Sequence, residues 1–269
     1  MPVSAASARR EAARSGDGAP VPRHIGHVVG NVVYAIVAAA LKVAFRYKVI
    51  GIEHLRKAAQ GGCVLVSNHA SYLDPAFLWV SARPGIWVRF MARENMFENA
   101  KGLAGFVISR VGAFPIKRDT ADRTSIKRAA AMLKRGEVVG IFPEGTRRGR
   151  GTAKASLHGG AAFVARMGKA PLVPSAVRGA ADVKRKGRRM RFPRIEVVYG
   201  EPIELSRFDF LPKEDRLEGA TWYAMRECYA LLYDVPASEV DMRGLFPESK
   251  DFTAAFAEQG GVRAQESEG

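Results

Sequence analysis

Short apolar segments alternate with helix-like segments from residue 46 to residue 233, and this alternation limits the folds open to the chain. The apolar, β-prone segments predict strands at 46–50, 63–67, 86–92, 113–116, 138–142, 171–177 and 195–199. Helix-like segments lie at 53–59, 76–82, 94–110, 120–135, 159–167 and 213–233. We therefore expect a single α/β domain with a mostly central mixed sheet flanked by helices, and an active site at the carboxyl ends of the strands.

Four parts make up the predicted domain organisation. Residues 1–23 are rich in Ala, Ser, Gly, Pro and Arg and are expected to be a disordered leader. A helix at 24–46 is expected to lie in a membrane interface, because its unbroken apolar run is about half of the roughly 20 residues that a spanning helix needs. Burial in the core is the alternative for this helix. The α/β domain covers 47–235, and 236–269 is expected to be a partly disordered tail, with room for a docked turn around Phe252 and Phe256.

The chain is strongly basic, with 42 Lys and Arg against 27 Asp and Glu and a formal charge of +15. This balance favours an anionic partner, either nucleic acid, an acidic membrane surface or a phosphorylated small molecule. The two cysteines, Cys63 and Cys228, are far apart and are expected to be reduced thiols of the core or surface. No metal-ligand spacing occurs in the sequence, so we expect no metal site.

The segment VLVSNHASYLDP at 64–75 joins an apolar strand to a predicted helix and contains His69 and Asp74. Residues five apart on one helix point in different directions, but across a strand-to-helix turn the two side chains can meet. A carboxylate that accepts from one imidazole nitrogen leaves the other free as a general base. The structural alternative is that His69 packs without chemistry while Asp74 caps the helix ahead of Pro75.

Two further strands are followed by glycine-containing basic loops. The segment GAFPIKR at 112–118 places Arg118, whose fork suits phosphate oxygens, at the mouth of a turn. The segment FPEGTRRGRG at 142–151 combines one carboxylate with backbone N–H groups, a hydroxyl and arginines, as a cradle for a phosphorylated head group would. Solvated basic turns are the alternative for both. The chain has no Walker-A motif, no GxGxxG after a strand and no GxSxG, so nucleotide binding by those devices and a serine-hydrolase elbow are not indicated.

Four strand-end motifs occur in order: NHxxxxD at 68–74, a glycine followed six residues later by arginine at 112–118, FPEGTR at 142–147 and LVP at 172–174. Together they resemble the motifs of the glycerolipid acyltransferases, over roughly residues 47–177. The closest likeness is to bacterial 1-acylglycerol-3-phosphate acyltransferases, which transfer a fatty acyl group from acyl-CoA or acyl carrier protein to lysophosphatidic acid. The resemblance implies the glycerolipid acyltransferase fold, no cofactor beyond the acyl donor as co-substrate, and a role in phospholipid synthesis.

The resemblance also assigns residues. It implies that His69 is the catalytic base and that Asp74 orients it. The substrate-binding residues that it implies are Asn68, Arg118, Glu144, Gly145, Thr146 and Arg147. The chain departs from the family at Leu157-His158, where a phenylalanine-lysine pair is frequent, and at Ser175, where valine is frequent. These departures bear on acceptor and acyl-chain preference more than on the reaction.

Partners and location follow as expectations. Lysophosphatidic acid, an acyl donor and an anionic membrane surface are the expected partners, with the protein peripheral or monotopic on the cytoplasmic face of the cell membrane. Within the same chemistry, the acceptor is alternatively glycerol-3-phosphate, another lysophospholipid or a glycolipid. A nucleic-acid-binding protein is the alternative from another class, because a dense basic run covers 184–191. That run has few aromatics and no helix-turn-helix or RRM pattern, so nucleic acid is not the expected partner.

Overall fold

The computed structural model describes residues 27–83, 85–93, 113–116, 123–145, 156–157, 159–183 and 189–259. The strands are β1 (Tyr47–Ile50), β2 (Cys63–Ser67), β3 (Val88–Arg93), β4 (Phe114–Ile116), β5 (Val138–Ile141), β6 (Leu172–Arg178) and β7 (Ile195–Tyr199). The α-helices are α1 (His27–Ala44), α2 (Ile52–Ala59), α3 (Asp74–Ala82), α4 (Arg123–Lys134), α5 (Gly160–Gly168), α6 (Arg216–Tyr233) and α7 (Met242–Leu245). The helix predicted at 94–110 lies outside the described residues.

The seven strands form one sheet in the order β1-β7-β6-β2-β5-β3-β4. Neighbouring strands are parallel except β6 and β7, which pair antiparallel. The predicted mixed sheet flanked by helices is therefore confirmed. Strand β2 lies at the middle of the order and is buried along its whole length. A strand covered on both faces reads as an unbroken apolar run, which is why its bounds follow directly from the sequence.

Helices cover both faces of the sheet and form two separate layers of core. Successive residues of β2 point to opposite faces, so Val64 and Val66 pack with α4, α5 and α6 while Cys63 and Leu65 pack with α1, α2 and α3. This arrangement places α3, which begins directly after the loop of His69, on the same face as α1.

Both cysteines are free and buried, Cys63 on one face of the sheet and Cys228 on the other. Burial raises the pKa of the Cys63 thiol to about 12. Burial also raises the pKa of the Cys228 thiol above its ordinary value. Thiols of this kind are inert near neutral pH, because the thiolate is the reactive species.

Helix α1 has apolar residues on both sides. Its inner side buries Ala38, Leu41 and Phe45 in the core layer that contains α3. Tyr34 contacts Trp79 and Phe45 contacts Phe77, so the two helices run antiparallel. None of the described helices combines the length and the apolar character that a bilayer crossing needs.

The chain after α6 returns to pack on that helix. Phe246 and Phe252 are buried, and their rings contact Tyr229 and Trp222 respectively. Residues 253–259 are helical and bring Phe256 against Trp222 in a stacked arrangement. The C-terminal segment thereby supports the buried face of α6, and Tyr229 of this helix contacts the Glu144 side chain.

Candidate active site

The loops that follow β2 and β5 leave the sheet side by side. These strands are parallel neighbours, with Val66 opposite Ile141, so their carboxyl ends lie at the same edge. His69 comes two residues after the end of β2, and Glu144 comes three residues after the end of β5. Strand β6 flanks β2 on its other side, with Ser67 opposite Ser175. The sheet therefore brings three of the four sequence motifs to one place.

His69 and Asp74 meet across the turn between β2 and α3. The Nδ1 atom of His69 lies 3.0 Å from Oδ2 of Asp74. The His69 side chain is 18% exposed whereas the Asp74 side chain is fully buried. With Asp74 ionised, Nδ1 carries the proton and donates, and Nε2 keeps its lone pair. The pair has the arrangement of a carboxylate-oriented general base.

The Asp74 carboxylate is directed back onto the loop rather than along the helix. Its Oδ2 atom accepts from the backbone N–H groups of Ala70 and Ser71 at 2.8 and 2.7 Å. Helix α3 starts at Asp74 itself, with Leu73 in the N-cap position and no side-chain cap, so the alternative in which Asp74 caps the helix is wrong. Three donors converge on Oδ2 and stabilise its negative charge. Ala70 and Ser71 are thereby occupied, which removes their N–H groups as oxyanion donors.

The His69 imidazole stacks on the ring of Phe142, with centroids 4.3 Å apart and planes inclined by 24°. Phe142 in turn stacks on Phe90 of β3, at 5.6 Å and 12°. Gly140 makes room for this column, because a Cβ there would lie 2.5 Å from the Phe90 ring. Two contacts therefore fix the imidazole: a hydrogen bond to Asp74 and stacking on Phe142. The sequence motif contains Phe142, but nothing in the pattern indicates that it contacts the histidine.

Glu144 joins the loop of His69 to helix α6. Its Oε1 atom accepts from the backbone N–H of His69 at 3.3 Å and from the Tyr229 hydroxyl at 2.9 Å. The side chain is 8% exposed. Tyr229 was not identified from the sequence, since it is 85 residues away and stands among the apolar residues of α6. The only signal available was a hydroxyl on an otherwise buried helix face, which needs a partner.

Asn68 and Ser175 connect β2 to β6 where β2 ends. The Asn68 Oδ1 atom accepts from the backbone N–H of Val177 at 3.2 Å, and Ser175 donates to the Val66 carbonyl at 2.9 Å. Because β6 runs past the end of β2, the Asn68 side chain supplies an acceptor that the neighbouring backbone no longer provides. The departure from valine at position 175 thus adds a hydrogen bond inside the sheet.

The structure describes only one of the other predicted binding residues, Gly145. Gly145 follows Glu144 with a left-handed φ of 63°, which favours glycine at this point of the loop. Arg118, Thr146 and Arg147 lie outside the described residues. The substrate-binding roles of all of these residues, and of Asn68 and Glu144, stay predictions. In the part of the chain that the structure describes, no three His, Cys, Asp or Glu side chains are close enough to hold a metal.

Comparison with known proteins shows the family of the chain. The family model described as "Acyltransferase" matches residues 46–178. A 1-acyl-sn-glycerol-3-phosphate acyltransferase of Bacillus subtilis (strain 168) is 35% identical over 195 residues, which cover 70% of this chain and 91% of that protein. A protein of the same name from Streptococcus pneumoniae is 30% identical over 144 residues, 53% of this chain and 50% of the relative.

A solved structure shares the fold. The 1-acyl-sn-glycerophosphate (LPA) acyltransferase PlsC from Thermotoga maritima superposes with a TM-score of 0.54, covering 75% of this chain and 81% of that one. Sequence identity in this comparison is 20%, so the likeness concerns the arrangement of the sheet and helices.

Proposed function

Since this chain belongs to the acyltransferase family and is an O-acyltransferase, we propose that it acylates the free hydroxyl of 1-acyl-sn-glycerol-3-phosphate to form phosphatidic acid. The observation that carries the proposal is the buried Asp74 carboxylate 3.0 Å from Nδ1 of the partly exposed His69. The reaction needs a base that can reach a hydroxyl from the solvent side of the sheet edge, and Nε2 of His69 meets that need.

The proposed mechanism is direct transfer. Nε2 of His69 takes the proton of the acceptor hydroxyl while the hydroxyl oxygen attacks the thioester carbonyl. The tetrahedral intermediate collapses, the new C–O ester bond remains and the C–S bond breaks. The departing thiolate takes the proton from the imidazolium and leaves as a free thiol. Asp74 stays ionised throughout and stabilises the imidazolium that forms between the two steps.

The acceptor phosphate requires positive charge near the base. We assign this role to Arg118 and Arg147, whose guanidinium forks suit phosphate oxygens. Gly145 and Thr146 would add a backbone N–H and a hydroxyl, and Asn68 and Glu144 would shape the floor of the pocket. The Glu144 carboxylate accepts the backbone N–H of His69, so the loop of the proposed acceptor pocket is held against the loop of the proposed base. The acyl donor is a co-substrate, either acyl-CoA or acyl carrier protein, and no other cofactor is required.

We also propose that the protein lies on the cytoplasmic face of the cell membrane. The outer side of α1 supports contact with a membrane. Val32, Ile36 and Val43 are 52%, 64% and 90% exposed along one side of this helix. Phe192, which is 56% exposed, contacts Phe45 near the carboxyl end of α1 and follows the basic run at 184–191. An apolar strip flanked by cations suits contact with an anionic lipid surface. Such contact would let the acceptor lipid reach His69 without leaving the bilayer.

Thiol release by the purified protein tests the reaction. With mixed micelles of 1-acylglycerol-3-phosphate, the protein should release free thiol from an acyl thioester and form phosphatidic acid. Parallel reactions with glycerol-3-phosphate, lysophosphatidylcholine and no acceptor establish the acceptor, and acyl-CoA against acyl carrier protein establishes the donor. Equal release with and without acceptor would identify a thioester hydrolase, and phosphatidic acid formation absent with both donors would reject the proposed function.

A further inference from the structure

Arg83, the residue at which α3 ends, is surrounded by aromatic rings. Its guanidinium carbon lies 5.3, 6.0 and 4.6 Å from the ring centroids of Tyr34, Trp79 and Trp87. One guanidinium nitrogen donates to Oδ1 of Asn31 on α1. The group therefore bridges α1, α3 and the segment before β3, at the end of α3 opposite Asp74.

The positive charge of Arg83 is not balanced within the described part of the chain. None of its described contacts is with a carboxylate, and burial lowers the pKa of its guanidinium. Arg226 provides a contrast, because it too lies over aromatic rings but has Glu227 at 3.3 Å. A cation that is partly removed from water is stable when an anion accompanies it.

Hydrogen-bond donors without acceptors accumulate around the same point. Among the described residues, Arg83 Nε, Trp79 Nε1 and Trp87 Nε1 are buried and donate to no acceptor. The two indole rings are 6.2 Å apart. These three unused N–H donors, one of which belongs to the uncompensated Arg83 cation, suit a ligand that brings several acceptor oxygens and negative charge.

The position of this cluster limits what that ligand can be. Because α1 runs antiparallel to α3, Arg83 lies beside the amino-terminal half of α1, the helix whose outer side carries the exposed Val32, Ile36 and Val43. Tryptophan and tyrosine are enriched at the depth of lipid head groups, where an apolar body and a polar edge are both satisfied. Beside a helix with an apolar outer side, the anionic oxygen group that fits this cluster is a lipid phosphate.

We propose that Arg83, with Tyr34, Trp79 and Trp87, binds the phosphate of an anionic phospholipid head group, as a fixed point of contact separate from the catalytic cleft. This inference rests on the proposed membrane position of α1, and it adds a defined head-group site to it. The Arg83 and indole N–H groups would donate to the phosphate oxygens.

Vesicle flotation with charge-matched variants tests the site. On phosphatidylglycerol-containing vesicles, Arg83→Gln should bind at least tenfold more weakly, because it loses the hydrogen bonds of the guanidinium fork as well as the roughly fivefold contribution of one surface cation. Arg83→Lys should recover only part of this loss, because an ammonium lacks the fork. Arg226→Gln, on the opposite face of the sheet, should bind like the unchanged protein. Lys42→Gln removes an exposed cation from α1 itself and measures the unspecific contribution of charge.

Three results would overturn the proposal: Arg83→Gln binding like the unchanged protein, Arg83→Gln equal to Lys42→Gln, or Arg83→Lys equal to the unchanged protein. The last two outcomes would mean unspecific charge attraction. Release from vesicles by inorganic phosphate, but not by chloride of the same ionic strength, would identify a free-phosphate site instead. Circular dichroism of each variant excludes misfolding as the cause.

Tryptophan fluorescence gives a second measurement. The chain has three tryptophans, and Trp222 lies in the core layer on the other face of the sheet. Brominated phosphatidylglycerol should quench Trp79 and Trp87 in Trp222→Phe, and should leave Trp222 unquenched in the double variant Trp79→Phe, Trp87→Phe. Equal quenching of both forms would contradict the assignment. Thiol release in detergent micelles is measured separately, so failure of the acyl-transfer proposal does not affect the outcome at Arg83.

Discussion

The Tyr229 hydroxyl donates to Oε1 of Glu144 at 2.9 Å, and the same oxygen accepts the backbone N–H of His69 at 3.3 Å. One carboxylate oxygen thus couples helix α6 to the loop that carries His69. The family model ends at residue 178, so this support comes from a part of the chain beyond the motif region.

Tyr229→Phe should slow turnover and reduce stability. The change removes a donor to a buried carboxylate, which typically costs about 1–3 kcal/mol. We expect a lower kcat with a nearly unchanged KM for the acceptor, and a lower Tm in thermal unfolding. Tyr233→Phe, one turn further along α6 and 52% exposed, is the matched control and should leave both quantities unchanged. An unchanged kcat in Tyr229→Phe would mean that Glu144 positions the loop without this bond.

His69→Ala should lower kcat by about 10²- to 10⁴-fold, which is the usual contribution of a general base. The measurement is thiol release from the acyl donor at saturating acceptor. His54→Ala changes a partly exposed histidine that pairs with Glu53 on α2 and should retain full turnover. The proposed mechanism fails if His69→Ala and His54→Ala turn over equally fast.

Gly140→Ala should displace the His69 imidazole indirectly, through the rings of Phe90 and Phe142. The added methyl group would lie 2.5 Å from Phe90, whose ring holds Phe142 against the imidazole. Overpacking of this kind costs about 1–3 kcal/mol, and we expect both the Tm and kcat to fall. Gly160→Ala is the control, because a Cβ there meets nothing within 4 Å in helix α5. Loss of Tm with full kcat in Gly140→Ala would show that the column of rings is structural only.

Arg118→Ala should raise the KM for 1-acylglycerol-3-phosphate more than the KM for the acyl donor. The expected loss is about tenfold or more, because a charge-assisted contact with phosphate contributes about 1.5–3 kcal/mol. Initial rates are measured with each substrate varied in turn. Arg243→Ala alters an arginine whose side chain is 80% exposed and should change neither constant. An effect confined to the donor would assign Arg118 to the donor phosphates instead.

The native protein should be nearly silent to Ellman's reagent. Burial raises the pKa of Cys63 to about 12, so at pH 8 the thiolate fraction is on the order of 10⁻⁴, and it increases as the pH rises. The pKa of Cys228 is raised in the same direction. Two thiols should react after unfolding in guanidinium chloride. Rapid reaction of the native form would contradict the buried positions of both cysteines.

The sequence allowed the central strands to be located well. The predicted bounds of β2 and β7 coincide with the observed Cys63–Ser67 and Ile195–Tyr199, because both are short segments rich in apolar, β-prone residues with glycine or polar residues on either side. Motif spacing also predicted that His69 and Asp74 meet, since only a turn between a strand and a helix brings residues five apart together. In such cases a local pattern determines the local geometry.

Contacts between distant segments were not predictable in this way. Asp74 looked like a helix cap because an aspartate before a proline usually is one, whereas its carboxylate accepts from the loop behind it. Tyr229 and Gly140 act through partners that only the three-dimensional arrangement of strands and helices brings near. Sequence spacing contains no information about such partners, and without related sequences no covariation indicates them.

The antiparallel packing of α1 on α3 has a practical consequence for shortening the chain. A version that begins at Tyr47 would uncover the rings of Phe77 and Trp79, which contact Phe45 and Tyr34 in the full protein. Phe77 and Trp79 belong to the helix whose first residue is Asp74. Such a truncation would expose an aromatic surface that promotes aggregation, and it would destabilise the helix that begins with Asp74. A loss of activity in the truncated protein would therefore not by itself show that lipid contact matters. Substitutions on the outer side of α1 are the better test of the proposed contact with the membrane.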